Sequence, residues 1–173
     1  MESTGGRYHY ADDWEFPDTQ EATYEFDGGK RIIWMSESCN GTGTFDRGRG
    51  TATYGTKGTL VLDRDGYAIY DLKGKVIKTN IEPKRGNGVD LVGDDAATLT
   101  HMQNFAAAIR GGEQLRAPVS DAIKTNILCH LGNMAQFTGR KLTVDPKTGH
   151  VVGDADAMKY WSRQYEPGWA PVV

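Results

Sequence analysis

Cysteine is nearly absent from this 173-residue sequence, which has only Cys39 and Cys129. Two cysteines so far apart make no disulfide framework of the kind that staples small secreted domains, so both are expected as free thiols. Histidine is sparse too: His9, His101, His130 and His150 are the four, and none stands at metal-ligand spacing from another histidine or a cysteine. No excess of positive charge exists. The 20 basic and 23 acidic residues leave a net charge of −3, which speaks against a nucleic-acid partner, because such proteins carry a basic stripe. No apolar run reaches the length of a membrane span, so no membrane partner is expected. No basic-then-apolar leader opens the sequence, and the compartment expected for the chain as it stands is the cytoplasm.

Glycine is what the sequence has in quantity, with 22 residues concentrated in the first half between strand-like runs. The length and a hydrophobic share of 38% suit one domain, residues 1–173, with a real core. Residues 1–19 show no helical period, and Gly5-Gly6 and Pro17 interrupt them, so a long ordered loop is expected. From Gln20 the pattern turns strand-like: Ala22, Tyr24 and Phe26 alternate with Thr23 and Glu25. Asp27-Gly28-Gly29 makes a hairpin turn into residues 31–36, whose weaker alternation suggests a central strand covered on both faces. After a glycine-rich loop at 38–50, short strands at 51–54, 59–63, 67–71 and 75–79 form a meander.

Residues 80–93 read as a polar linker, and Asp94 or Asp95 as the cap of a first helix. Leu99, Met102, Phe105, Ala106 and Ile109 form its apolar stripe, and Gly111-Gly112 ends it. A second helix runs from an N-cap at Ser120 to an αL C-cap at Gly139, with Ile123, Ile127, Leu131, Met134 and Ala135 on one face. Two short edge strands at 141–144 and 150–152 follow, then a third helix capped by Asp154 and ending near Arg163.

The expected fold class is α+β: an open, mainly antiparallel sheet of about five or six strands with helices packed on one face. An uncovered face with Ile, Trp or Met side chains is expected to find a partner, and a homo-oligomer through that face is the simplest one. The hairpin order would put loops 7–19 and 38–50 at one end of the sheet, bringing His9, Tyr10, Asp12, Asp13, Asn40, Arg47 and Arg49 within reach of each other.

No complete catalytic constellation is present. Gly41-Thr-Gly43 and Gly48-Arg-Gly50 begin like a dinucleotide fingerprint, but neither gains its third glycine, and no βαβ unit surrounds them. Asp12, Asp13 and Glu15 are carboxylates suited to acid–base work, or to solvated turns. Arg47 and Arg49 suit a clamp on a carboxylate or on sugar hydroxyls, or an inter-subunit ion pair. Tyr8, Tyr10, Trp14 and Phe16 suit a sugar-stacking wall, or simple packing of the loop. His130, at the rim of the second helix's apolar stripe, suits a hydrogen bond at the helix–sheet boundary or a ligand contact. The candidate substrate-binding residues are Arg7, His9, Tyr10, Asp12, Asn40, Arg47, Arg49 and His130, with a carbohydrate among the ligands they suit. No catalytic, cofactor or metal residue is assigned.

Several segments together resemble the C-terminal domain of the Gfo/Idh/MocA family, the glucose-fructose oxidoreductases and inositol dehydrogenases. They are Asp13-Trp-Glu-Phe-Pro-Asp-Thr19, Tyr54-Gly-Thr-Lys-Gly-Thr59 with Gly66-Tyr67, Asn104-Phe105, Cys129-His-Leu-Gly-Asn133, Gly139-Arg-Lys-Leu142, Asp145-Pro146, Gly153-Asp154 and Pro167-Gly-Trp169. Each is weak alone; their order over nearly the whole chain carries the resemblance. It implies a two-domain NAD(P)-dependent enzyme whose Rossmann domain holds the dinucleotide and whose C-terminal domain shapes a sugar site and assembles through its open sheet.

The sequence departs from that pattern. It lacks the glycine fingerprint, the Glu-Lys-Pro motif and the Asp-x-x-x-His helix, and Thr4-Gly5-Gly6 matches the end of the domain's first strand. The resemblance thus implies a chain that starts inside the domain, binds no cofactor alone, and is the substrate-binding and oligomerisation part of a sugar oxidoreductase. Any leader of an exported parent would lie upstream. The alternative is a free-standing, non-catalytic assembly or binding module built on the same sheet.

Overall fold

The computed structural model describes residues 1–81 and 96–172. In chain order its elements are β1 (Glu2–Gly6), β2 (Thr19–Phe26), β3 (Lys30–Glu37), β4 (Thr51–Gly55), β5 (Gly58–Asp63), β6 (Gly66–Tyr70), β7 (Val76–Ile81), α1 (Ala96–Ile109), α2 (Val119–Thr138), β8 (Thr143–Val144), β9 (Val151–Val152) and α3 (Ala155–Met158). The class is α+β as expected, with open sheets and antiparallel pairing throughout. Among the described residues the strands do not pair into one sheet of about five or six. They form three ladders, β1-β2-β3, β4-β5-β6-β7 and β8-β9. The chain divides into two compact units, Met1–Cys39 with Gln103–Val173, and Asn40–Met102.

In the first unit, β2 carries the expected alternation. Ala22 and Tyr24 are buried, while Glu21 and Glu25 are exposed. Register places Ser3, Ala22 and Trp34 in one row, and Ile32 beside Tyr24, so these side chains share a face. Helix α2 lies against β1 and the inward side chains of β2. Gln136 donates to the Gly5 carbonyl at 2.9 Å and accepts from the Ser3 hydroxyl at 3.1 Å. The Tyr24 hydroxyl donates to the Leu128 carbonyl at 2.7 Å. A Cβ on Gly132 would stand 2.7 Å from that hydroxyl oxygen, so the glycine is what lets helix and strand approach. Leu131, Met134, Ala135, Leu142, Val151 and Ala157 complete the core.

Local signals place several boundaries. Asp27-Gly28-Gly29 is the β2–β3 turn, with both glycines at positive φ. Gly111 takes φ 77° while Gly111 and Gly112 donate to the Ala108 and Ala107 carbonyls, a Schellman ending for α1. Gly139 is the αL C-cap of α2, at φ 61°. Asp154 caps α3, its carboxylate accepting from the Ala157 amide at 3.0 Å.

Other expectations need correction. Residues 2–6 are a strand, not part of a loop; β1 lacks an apolar alternation because its place is fixed by tight contact, a Cβ on Gly5 falling 2.2 Å from the Thr19 carbonyl oxygen. The N-cap of α2 is Pro118 without a side-chain cap, because the helix starts two residues earlier than an N-cap at Ser120 would allow. α3 stops at Met158, well before Arg163. The apolar stripe of α1 is exposed, Leu99, Met102, Phe105 and Ile109 all being at least half uncovered. β3 is an edge strand, not a central one: among the described residues it pairs only with β2, and Ile32, Ile33, Trp34 and Met35 are 43–62% exposed. The expected cap at Asp94 or Asp95, and most of the linker at 80–93, lie outside the described residues.

The second unit is the expected meander. Val61 and Ala68 are directly paired and form its buried face. The Asp71 carboxylate turns the chain into β7 by accepting from the Lys73 and Lys75 amides at 2.8 and 2.9 Å.

Met134 is 2% exposed, and Met134→Ala is expected to cost about 2–5 kcal/mol in urea unfolding. Tyr24→Phe, which removes one hydrogen bond but keeps the ring, is expected to cost about 1 kcal/mol. Equal losses for the two would mean that the hydroxyl, not core packing, fixes α2 to the sheet.

Candidate functional site

Loop 7–18 links the end of β1 to the start of β2, at the end of the sheet where β3 leaves. Its anchor is Asp18, 3% exposed. The carboxylate accepts from three successive amides: Tyr8 at 3.1 and 3.2 Å, His9 at 2.9 Å and Tyr10 at 3.1 Å. The Thr19 hydroxyl also donates to it, at 3.1 Å. These donors hold the Asp18 carboxyl well below the usual carboxylate range; the His9 amide has the largest effect, and burial opposes it. The main chain of Asp18 is equally engaged, its amide donating to Gly6 and its carbonyl accepting from Ser38.

Arg7 closes the other half of the loop. Its guanidinium pairs with the Asp12 carboxylate and donates to the Tyr10 and Phe16 carbonyls at 3.2 and 3.3 Å. Asp12 also accepts from the Trp14 amide at 3.0 Å. The two residues thus serve the loop's own fold first. Between them the backbone presents His9 and Tyr10, whose rings meet edge to face at 4.7 Å and stand in solvent.

The aromatics separate into two groups. Tyr8 lies over Gly6 and lines a shallow hollow of about 220 Å³ on the uncovered sheet face, with Thr4, Glu21 and Met35. Trp14 and Phe16 instead begin a row that continues onto α2 and past α3: Trp14–Phe16 at 5.9 Å, Phe16–Phe137 at 5.7 Å and Phe137–Tyr160 at 5.6 Å. All four rings are 41–65% exposed. Neither Phe137 nor Tyr160 was a candidate from sequence, and nothing in their local pattern sets them apart. Asp18 was missed as well, being one carboxylate among several in an acidic loop.

The remaining candidates belong to other elements of the chain. His130 sits on the exposed side of α2, not at the helix–sheet boundary, because the buried stripe turns through Leu131, Met134 and Ala135. Asn40, Arg47 and Arg49 belong to the second unit. There Arg47 pairs with the Asp63 carboxylate, Asn40 accepts from the Thr42 amide at 2.9 Å, and Arg49 is exposed. Arg47 is therefore a structural cation of that meander. The glycines at 41–50 lead into strand β4 instead of a helix. These residues do not fit a dinucleotide cradle, which needs a helix N-terminus for the pyrophosphate.

Both cysteines are free thiols. Among the described residues no group of three or more His, Cys, Asp or Glu side chains converges as a metal site, and no helix is long and apolar enough to cross a membrane. The chain matches no family model, no curated protein and no solved structure.

Because the Asp18 carboxyl is lowered on folding, its contribution to stability is complete above the unfolded carboxyl value of about 3.9 and is lost as pH falls through the lower folded value. Asp18→Asn should abolish that part of the acid dependence. It should also speed hydrogen exchange at the Tyr8, His9 and Tyr10 amides at neutral pH, while leaving α2 protected. Unchanged exchange at these three amides would show that the carboxylate does not hold the loop.

Proposed function

We propose that this chain is the substrate-binding and assembly part of an NAD(P)-dependent sugar oxidoreductase of Gfo/Idh/MocA type, not redox-active by itself. Loop 7–18 and the aromatic row beside it form the carbohydrate surface. The observation that carries the reading is that row: Trp14, Phe16, Phe137 and Tyr160, in sequential ring contact and half in solvent. Sugar rings offer an apolar C–H face that stacks on such side chains, and hydroxyls that need fixed polar partners beside them. His9 and Tyr10 provide polar groups on a pinned backbone, and Asp13 and Glu15 add exposed carboxylates next to Trp14. The motif order quoted above supports the family assignment. On this reading the dinucleotide, and the residues that exchange a hydride with it, belong to a Rossmann domain outside this sequence, and the parent's localisation is set there. Assembly into a homo-oligomer runs through the β1-β2-β3 sheet.

Calorimetric titration of the chain with NAD, NADH, hexoses and 3-keto hexoses tests the reading. The expected result is no dinucleotide heat and weak sugar binding that Trp14→Ala reduces at least about tenfold, the loss of a stacked ring being worth more than 1 kcal/mol. Dinucleotide binding at micromolar affinity would overturn it and make the chain an enzyme in its own right. The absence of any sugar binding would favour the free-standing assembly module.

A further inference from the structure

The second unit holds a hollow that the proposed sugar surface does not use. Register sets Tyr54 of β4, Thr59 of β5 and Tyr70 of β6 in one row across three strands, so their side chains share a face. Thr59, the short one, leaves room between the two phenol rings. Phe45 brings a third ring, its centroid 5.5 Å from that of Tyr70 and its plane tilted by 40°. With Asp46 and Asp71 these residues line a hollow of about 650 Å³, a size that suits a small molecule. Phe45 stands there at a conformational cost. It and Asp46 are consecutive non-glycine residues at φ 56°. An aspartate tolerates that left-handed region, but a bulky ring rarely enters it. The two are the central pair of a turn that the Arg47 amide closes on the Thr44 carbonyl at 3.0 Å, and the Arg47–Asp63 ion pair ties the turn to β5. A turn built only for its own stability would carry glycine or asparagine at Phe45. Strain of this kind persists where surrounding contacts enforce it, and it clusters at binding sites.

The charges of the lining decide the class of ligand. Asp46 and Asp71 belong to it, and no lysine, arginine or histidine does. Asp46 makes no hydrogen bond or ion pair among the described residues. Asp71 engages Oδ1 with the Lys73 and Lys75 amides, which leaves Oδ2 for a ligand. A phosphate or carboxylate would be repelled by this wall, and a neutral apolar molecule would strip water from two carboxylates without replacing it. A metal ion would need more converging oxygens than these two aspartates supply. An organic cation meets neither objection, because aromatic faces carry the negative end of the ring quadrupole and attract a charge that has no N–H to donate. We propose that this hollow binds a small quaternary ammonium compound, with its methylated nitrogen against the rings of Phe45, Tyr54 and Tyr70 and its charge beside Asp46 and Asp71. The site lies within the second unit and does not depend on the sugar reading.

NMR titration of the full chain, following the aromatic ring signals, tests it with two probes: choline, and neohexyl alcohol, in which a neutral carbon replaces the charged nitrogen. Choline is expected to shift the Phe45, Tyr54 and Tyr70 signals to saturation with a Kd of about 1–10 mM, the strength of a few cation–π contacts at an open site. Neohexyl alcohol should bind at least about tenfold more weakly. Tyr54 is exposed, so its replacement should leave the fold intact. Tyr54→Phe keeps the ring face and should bind choline within about twofold, whereas Tyr54→Leu should weaken it by about fivefold or more. Asp46→Asn suits the left-handed backbone and should weaken choline by about threefold or more, a loss that shrinks as salt is added. No shift at about 50 mM choline would overturn the proposal. Equal affinity for the two probes would do so as well, since the hollow would then be merely apolar, as would Tyr54→Leu without effect. A hexose that titrates these rings in place of choline would overturn it too. A trimethyllysine peptide bound more than about tenfold tighter than choline would overturn the small-molecule assignment.

Discussion

The candidate end of the first unit depends on one buried carboxylate. A loop such as 7–18 has backbone amides without a ladder to join, and each needs a partner if it is to keep one conformation. Asp18 supplies partners for three in succession, and the same three make its burial tolerable, because an ionised carboxyl taken out of water is costly unless it is fully hydrogen-bonded. The dependence runs both ways, so loop and carboxylate order together. With residues 8–10 wrapped around Asp18, their side chains have nowhere to point but outward. Tyr8 turns onto the sheet, and His9 and Tyr10 turn into solvent.

The other half of the surface is positioned by helix ends. Phe137 stands in the last turn of α2, and Gly139 ends the helix in the left-handed conformation immediately after it. Arg140 then reaches across to Asp154, with Nε and Nη2 donating to the two carboxylate oxygens at 2.9 and 2.8 Å. Asp154 is also the N-cap of α3. The Ala157 amide, ahead of Arg140, holds its carboxyl below the usual range. One carboxylate therefore ties the end of α2 to the start of α3, and Tyr160 follows α3 directly. The Phe137–Tyr160 contact is a consequence of two caps, and Phe16 joins it from the loop that Asp18 holds.

The local parts of this arrangement were legible in the sequence. The Asp27-Gly28-Gly29 turn, the endings at Gly111 and Gly139 and the cap at Asp154 each require a particular residue type at one position, so the chain announces them. Arg7, His9, Tyr10 and Asp12 share one loop, as their nearness in the sequence requires. What they do there was not legible: Arg7 and Asp12 neutralise each other, and the anchor is Asp18, whose meaning comes from amides eight to ten residues upstream. Partners distant in sequence were missed for the same reason. β1 is a strand because β2 lies beside it, and the aromatic row exists because α2 and the segment after α3 come to loop 7–18. Neither pattern has a period that a reader of the sequence can find.

β3 shows how a correct pattern can lead to a wrong position. Apolar side chains on both faces usually mean a strand covered on both sides. Here α2 covers β1 and the inner side of β2, and β3 lies beyond its reach. The rest of the uncovered face is mostly polar. Glu2, Thr4, Glu21, Thr23 and Glu25 lie along it, and only Ile33 and Met35 on β3 are apolar. The pattern of β3 thus reports apolar content on both faces without the cover that usually goes with it, and Ile32, Ile33, Trp34 and Met35 stay 43–62% exposed.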